Sequence, residues 1–249
     1  MAHDCRSRSG RLHAAQLAQG RPRCRHGAQG GARTLVIGAP VAKVPLHPND
    51  DRLHSTDAEW SIVEPGDELW RVYFRSGEHP SRWNQFRSFG PTDARFDHHV
   101  EGQPEAERSV MYLAASPVTC LAEVFQKTRT IHRTRRMPAL VGFRVTSPLR
   151  LLDLTGAFPT RIGASMGLMS GARSVGRSWA RGLYEAFPQA HGLAYPSSMH
   201  GNAVAIVLND RADRVEALPR SPGFHKALAD ASMMTLLKNA ARELGYLMR

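Results

Sequence analysis

The sequence predicts an α+β fold with a mainly antiparallel, bent β-sheet and flanking helices. Strand-like and helix-like segments are interspersed without a regular β-α-β rhythm. No internal repeat is visible, and the glycine-rich G-x-G-x-x-G fingerprint of doubly wound dinucleotide-binding sheets is absent.

Along the chain, residues 1–33 have no hydrophobic periodicity and few apolar side chains to offset ordering entropy, so disorder is expected there. An upstream stretch included by a misplaced start codon is the favoured reading of this tail, ahead of a nucleic-acid arm or an address. Residues 34–68 hold the short apolar run Leu35-Val36-Ile37 and a Pro- and Asp-bearing stretch, read as a peripheral linker. The folded part is expected to begin near Leu69 and run to residue 249. Leu69 to Phe74 alternates and is rich in strand formers. Residues 75–108 carry Gly77, Pro80, Gly90, Pro91, Gly102 and Pro104 and read as a long loop, a length that usually signals function or disorder. Ser109 to Ala115 is a second strand. Ser116 suits an N-cap and Pro117 the first helical position, and Val118, Leu121, Ala122 and Phe125 form one apolar helical face. Strands are expected at 139–145 and 149–154, joined by a turn at Ser147-Pro148. A helix follows over 173–187, with Val175, Trp179, Leu183 and Phe187 four apart. Gly192 leads a strand through Tyr195, and Ala203 to Leu208 is an apolar run suited to a buried strand. The last helix is expected to start near Asp230, pack Met233, Met234, Leu237, Ala241 and Leu244, and end at Gly245, a helical extension at the C-terminus.

Bulk properties narrow the function classes. The 249 residues are 42% hydrophobic and 22% charged, a globular composition long enough for a core without disulfides. Three cysteines, Cys5, Cys24 and Cys120, argue against a secreted disulfide framework and for a reducing cytoplasm. No run of about 18 apolar residues predicts a membrane helix, and the basic N-terminus lacks the apolar stretch of a signal peptide. The net charge of +11 invites a polyanion partner, but seven arginines against one acid lie within residues 1–33. The remaining balance also suits a protein that binds small anions, so nucleic acid is not expected as the main partner. Cys5 and Cys24 with His13 and His26 fit no zinc spacing. His98-His99 with Asp93 and Asp97, and His200, fit no specific metal site, so no metal is expected and these histidines read as exposed.

The residues able to carry chemistry are scattered. Arg71 alternates with apolar neighbours on the first strand, as a solvated face would, or as a fork of donors for a phosphate would. Arg82-Trp83-Asn84 follows a Gly- and Pro-bearing loop, where Trp83 reads as core and Asn84 as a turn residue. Tyr112 lies mid-strand on the face of Val110 and Ala114. Glu123 falls off the apolar stripe of its helix, in solvent or in a cleft. Tyr195-Pro196-Ser197 ends a strand, where a hydroxyl often caps a turn; Ser198 follows and could take the same role. No G-x-S-x-G elbow surrounds either serine, which argues against an acyl-transfer nucleophile.

Taken in order, Arg71 and Tyr73, Arg82-Trp83-Asn84, Tyr112, Ala122-Glu123, Tyr195-Pro196-Ser197 and Asn202 resemble the RES-domain family, named for its Arg, Glu and Ser. The resemblance spans about residues 69–210, with fewer glycines before the Arg-Trp-Asn triplet than the family commonly has. It implies an ADP-ribosyltransferase-like fold, a split, strongly bent sheet around an NAD cleft. It further implies an NAD-degrading toxin of a toxin–antitoxin pair: NAD and phosphate as substrates with no bound cofactor, nicotinamide and ADP-ribose 1″-phosphate as products, and an Xre-type antitoxin as partner. On this reading Arg71, Glu123 and Ser197 are catalytic. Arg71 binds phosphate or diphosphate, Glu123 supports a cationic transition state and Ser197 orients ribose or phosphate. Tyr73, Arg82, Trp83, Asn84, Tyr112, Tyr195 and Asn202 bind substrate. An NAD glycohydrolase, an ADP-ribosyltransferase with a macromolecular acceptor and a non-enzymatic nucleic-acid binder are the alternatives, and a homodimer is left open.

Overall fold

Ordered structure starts ahead of Leu69 in a computed structural model that describes residues 43–102, 108–201 and 203–249. Helix α1 (Asp50–Ser55) is capped by Asn49, whose side chain accepts a hydrogen bond from the Arg52 amide at 2.8 Å, and its Leu53 is buried. Strand β1 (Trp60–Val63) pairs antiparallel with residues 149–152, Trp60 opposite Leu152 and Val63 opposite Leu149. The stretch read as a peripheral linker thus contributes a helix and a short strand ahead of Leu69. A four-residue strand is too short for alternation to stand out, and its partner lies far along the chain. The expectations for residues 1–33, and for Cys5, Cys24, His13 and His26, lie outside the described residues.

Strand β2 (Glu68–Phe74) forms where alternation predicts it, sending Leu69 and Tyr73 into one core cluster and Val72 into another. After the long loop come β3 (Val110–Ala114) and α2 (Pro117–Val124). Ser116 caps α2, its Oγ accepting from the Thr119 amide at 3.1 Å, a contact typically worth about 1 kcal/mol. Strands β4 (Thr130–Ile131), β5 (Pro138–Arg144) and β6 (Leu149–Asp153) follow. The short helices α3 (Phe158–Arg161) and α4 (Gly167–Ser170) lead to α5 (Arg173–Ala186), β7 (Gly192–Pro196), β8 (Val204–Asn209), α6 (Asp210–Arg214) and β9 (Phe224–Ala227). A 3₁₀ turn capped by Asp230 then enters α7 (Met234–Leu244). Gly245 ends α7 in the left-handed region at φ +65°, before β10 (Leu247–Met248).

Eight strands form one sheet in the order β1-β6-β7-β8-β3-β2-β5-β9. Every neighbour is antiparallel except β6–β7, whose parallel crossover carries α3, α4 and α5. The fold is thus α+β on a mostly antiparallel sheet. β5 and β6, consecutive in sequence, are not sheet neighbours, so the turn at Ser147-Pro148 redirects the chain to the other end of the sheet. The sheet is split between β2 and β3, which share only the Trp70–Ala114 pair, whereas β2–β5 and β3–β8 pair along their lengths. Fully buried Trp179 anchors the α5 side and donates its indole N–H to the Pro45 carbonyl at 2.9 Å. No helix among the described residues is long and apolar enough to cross a membrane.

Candidate active site

Helix α2 brings Glu123 to its last turn while Thr119, Cys120, Leu121 and Ala122 are buried. Strand β7 runs to Pro196 and hands over to a tight turn, closed by the Ser197 amide donating to the Ala203 carbonyl at 2.8 Å. The two meet. The Ser197 hydroxyl donates to Glu123 Oε1 at 2.5 Å, and its Oγ accepts from the Met199 and His200 amides at 3.1 Å each. A serine hydroxyl has one hydrogen to give and two lone pairs. All are in use, so Ser197 holds Glu123 in place and is not a free nucleophile. Glu123 Oε2 also accepts from the Gln126 side chain at 3.3 Å.

Glu123 forms part of the wall of a cavity of about 410 Å³, within the range of small-molecule sites. Tyr112 and Tyr195 share that wall with Val72, Leu113, Cys120 and Met169. The Tyr112 hydroxyl is buried and has no hydrogen-bond partner. Burial pushes the Tyr112 and Tyr195 hydroxyls above the ordinary phenol range, and Glu123 adds to the effect on Tyr195. Burial likewise raises the Cys120 thiol, which donates to the Trp70 carbonyl at 2.9 Å. Both phenols and the thiol therefore stay protonated at neutral pH.

Polar residues that the sequence did not single out complete the cavity. Arg95, Lys127 and Arg173 line it with Asp93 and Glu123, so three cations face two carboxylates. Arg95 Nη1 donates to the Leu168 and Gly171 carbonyls at 3.2 and 2.6 Å, and burial lowers its pKa. Asp93 pairs with Lys127 at 2.5 Å and with Arg173 at 2.8 Å, and its pKa is lowered, first by the Lys127 hydrogen bond. The sequence offered Asp93 only as a metal ligand beside His98-His99, and the length of the 75–108 loop was the available signal for Arg95. Nothing local marked Arg173, which only the sheet crossover brings to this wall.

The expected site residues divide into two groups. Glu123, Tyr112 and Tyr195 line the cavity, Ser197 stands directly behind Glu123, and exposed Ser198 is the serine that faces the space. Arg71, Tyr73, Arg82, Trp83 and Asn84 are not among the lining residues. Arg71 is buried, and its Nη1 donates to the Arg82, Trp83 and Gln85 carbonyls at 3.5, 2.7 and 2.9 Å. Burial lowers its pKa to about 10, so it remains charged. Tyr73 shares a short 2.6 Å hydrogen bond with His225 Nε2 on β9. Trp83 packs on Phe143 with ring centroids 5.7 Å apart, while Arg82 and Asn84 are exposed. Asn202 lies outside the described residues. His98 and His99 are buried, correcting the expectation of exposed histidines. His99 Nδ1 meets Asp97 Oδ1 at 2.5 Å, and His98 stacks on Tyr184.

Arg71→Met should therefore act on folding. It removes the donor of three backbone carbonyls, at a cost of about 2–3 kcal/mol. At roughly 2–4 °C per kcal/mol for a domain of this size, the melting temperature should fall by about 4–12 °C. An unchanged melting temperature in a thermal scan would refute that structural role.

The family of the chain follows from its match to one known domain. A search of curated proteins gave no match. Among solved structures, the chain is similar to a chain of the M.tuberculosis MbcT–MbcA toxin–antitoxin complex, at 19% identity and a TM-score of 0.45, over 72% of this chain and 92% of that one. Residues 68–229 match the RES domain. That stretch is well over half the chain and contains the Glu123–Ser197 pair and the β2–β3 split of the sheet: this protein belongs to the RES-domain family.

Proposed function

We propose that this RES-domain chain cleaves NAD by phosphorolysis and serves as the toxin of a toxin–antitoxin pair with an Xre-type antitoxin. The observation that carries the reading is the Glu123 carboxylate, fixed by Ser197 and set in the wall of a cavity rimmed by cations. In the reaction the bond from ribose C1″ to the pyridinium nitrogen breaks. The electron pair goes to nitrogen, neutral nicotinamide leaves, and a phosphate oxygen bonds to C1″. The ribosyl centre becomes cationic along the way, and a fixed negative charge nearby stabilises it. Arg95, Lys127 and Arg173 supply positive charge for the diphosphate or the incoming phosphate, which competes with Asp93 for Lys127 and Arg173. Tyr112 offers an aromatic face and a hydroxyl without a protein partner. Arg71 contributes by holding the 82–85 loop.

The test is incubation of purified protein with NAD, with and without phosphate, the products resolved by mass. Nicotinamide with a phosphorylated ADP-ribose is expected only when phosphate is present. Persistent NAD under both conditions, from folded protein, would sink the enzymatic reading. Nicotinamide release without a phosphate adduct would replace phosphorolysis by glycohydrolysis or by transfer to another acceptor. Harmless expression of active enzyme in a bacterial host would remove the toxin role and leave the chemistry.

A further inference from the structure

The stretch matched by the family ends at residue 229, yet the chain continues through α7 and β10, and this last segment reaches the Glu123–Ser197 pair from two sides. On one side Glu243, in the last turn of α7, accepts from His200 Nε2 at 2.8 Å. A carboxylate can only accept, so Nε2 carries the proton. The other ring nitrogen of His200, Nδ1, lies 2.9 Å from the Thr119 hydroxyl on α2, and its backbone amide donates to Ser197 Oγ. His200 thus ties three things together: the turn that holds Ser197, the helix that carries Glu123, and α7. On the other side the Tyr246 hydroxyl donates at 3.2 Å to the carbonyl of Ala122, the residue before Glu123. Apolar packing fixes the same arrangement. Leu237, Ala240 and Tyr246 are buried in one cluster with Leu121 and Phe125 of the α2 region. β10 then pairs in parallel with β4, soon after α2 ends.

We infer that the C-terminal segment 230–249 is a brace that sets the Glu123–Ser197 geometry, with Glu243 its positioning residue acting through His200. The catalytic significance of that geometry rests on the function proposed above; the mechanical link does not. A half-exposed ion pair often contributes little by itself. Here the imidazole is bonded at both ring nitrogens and its own amide contacts Ser197, so release of Glu243 frees a side chain whose backbone is part of the site.

The experiment uses the full chain with Glu243→Ala, Glu243→Gln and Tyr246→Phe. Amide hydrogen exchange is read at Met199 and His200, which donate to Ser197 Oγ, and at Leu208 in the centre of the sheet as a control. NAD turnover is measured alongside. In Glu243→Ala, exchange at Met199 and His200 should quicken by about tenfold with Leu208 unchanged, as expected for loss of a hydrogen bond to a charged group. In the same variant kcat should fall by about tenfold while KM stays within about twofold, short of the hundredfold that a full ångström of misplacement can cost. Glu243→Gln keeps an acceptor oxygen and should restore both readouts; failure to restore them would overturn the assigned role. Tyr246→Phe should lower kcat while leaving Met199 and His200 protected, because it releases α2 alone. Unchanged exchange at Met199 and His200 in Glu243→Ala overturns the inference. So does acceleration that includes Leu208, which would make α7 a general stabiliser. If the wild type does not cleave NAD, the proposed function falls and the exchange pattern alone decides the brace.

Discussion

Glu123→Gln should slow NAD cleavage by about 10²–10³, the effect of losing one preorganised electrostatic contact in the transition state. The substitution conserves shape. A glutamine Oε1 still accepts from the Ser197 hydroxyl, so the 2.5 Å contact and the 197–200 turn can persist, while its Nε2 gives up only the 3.3 Å contact with Gln126. What is lost is the negative charge that the proposed reaction sets against a cationic ribosyl centre. Glu123 is only half-buried, so folding should change by no more than about 0.5 kcal/mol, roughly 1–2 °C in melting temperature. Turnover and a thermal scan on the same sample check both parts. Turnover near the wild-type value would remove Glu123 from the chemistry. A collapsed melting temperature would show that the carboxylate is needed for the fold.

The second large effect is structural and comes from Gly192→Ala. Gly192 opens β7, opposite Leu208 of β8 and Leu151 of β6. A Cβ built there meets the Val207 carbonyl oxygen at 2.1 Å and the Leu208 Cα at 2.9 Å. Both are backbone atoms of a strand paired on its two sides, so no flexible side chain can move aside. Overpacking of this kind should cost about 3 kcal/mol or more. For a domain of this size that corresponds to a drop of about 6–12 °C. Gly223→Ala is the control, because its Cβ would meet nothing nearer than 4.0 Å and no left-handed φ is required. Equal melting temperatures for the two variants would refute the close β7–β8 approach. The site should suffer with the strand, since β7 delivers Tyr195 and leads into the Ser197 turn.

The sequence by itself determined the local elements. Alternation specified β2, the apolar run specified β8, and capping chemistry placed Ser116 and Pro117 at the start of α2 and Gly245 at the end of α7. These signals act within a few residues, so they can be read without knowing the fold. The order of Arg, Glu and Ser was also legible, and with it the family. Tertiary structure decided which of those residues share a space. Ser197 reaches Glu123 because β7, β8 and β3 are sheet neighbours and α2 follows β3. Arg71 stays out of the cavity lining and holds the 82–85 loop instead, because the long loop folds back over its guanidinium. β1 had no local signature, since a short edge strand exists only through its pairing with β6. Arg173 and Glu243 belong to the same class. One is carried to the cavity by the crossover between parallel strands, the other to His200 by a helix beyond the family match, and contacts made across such sequence distances leave no local pattern.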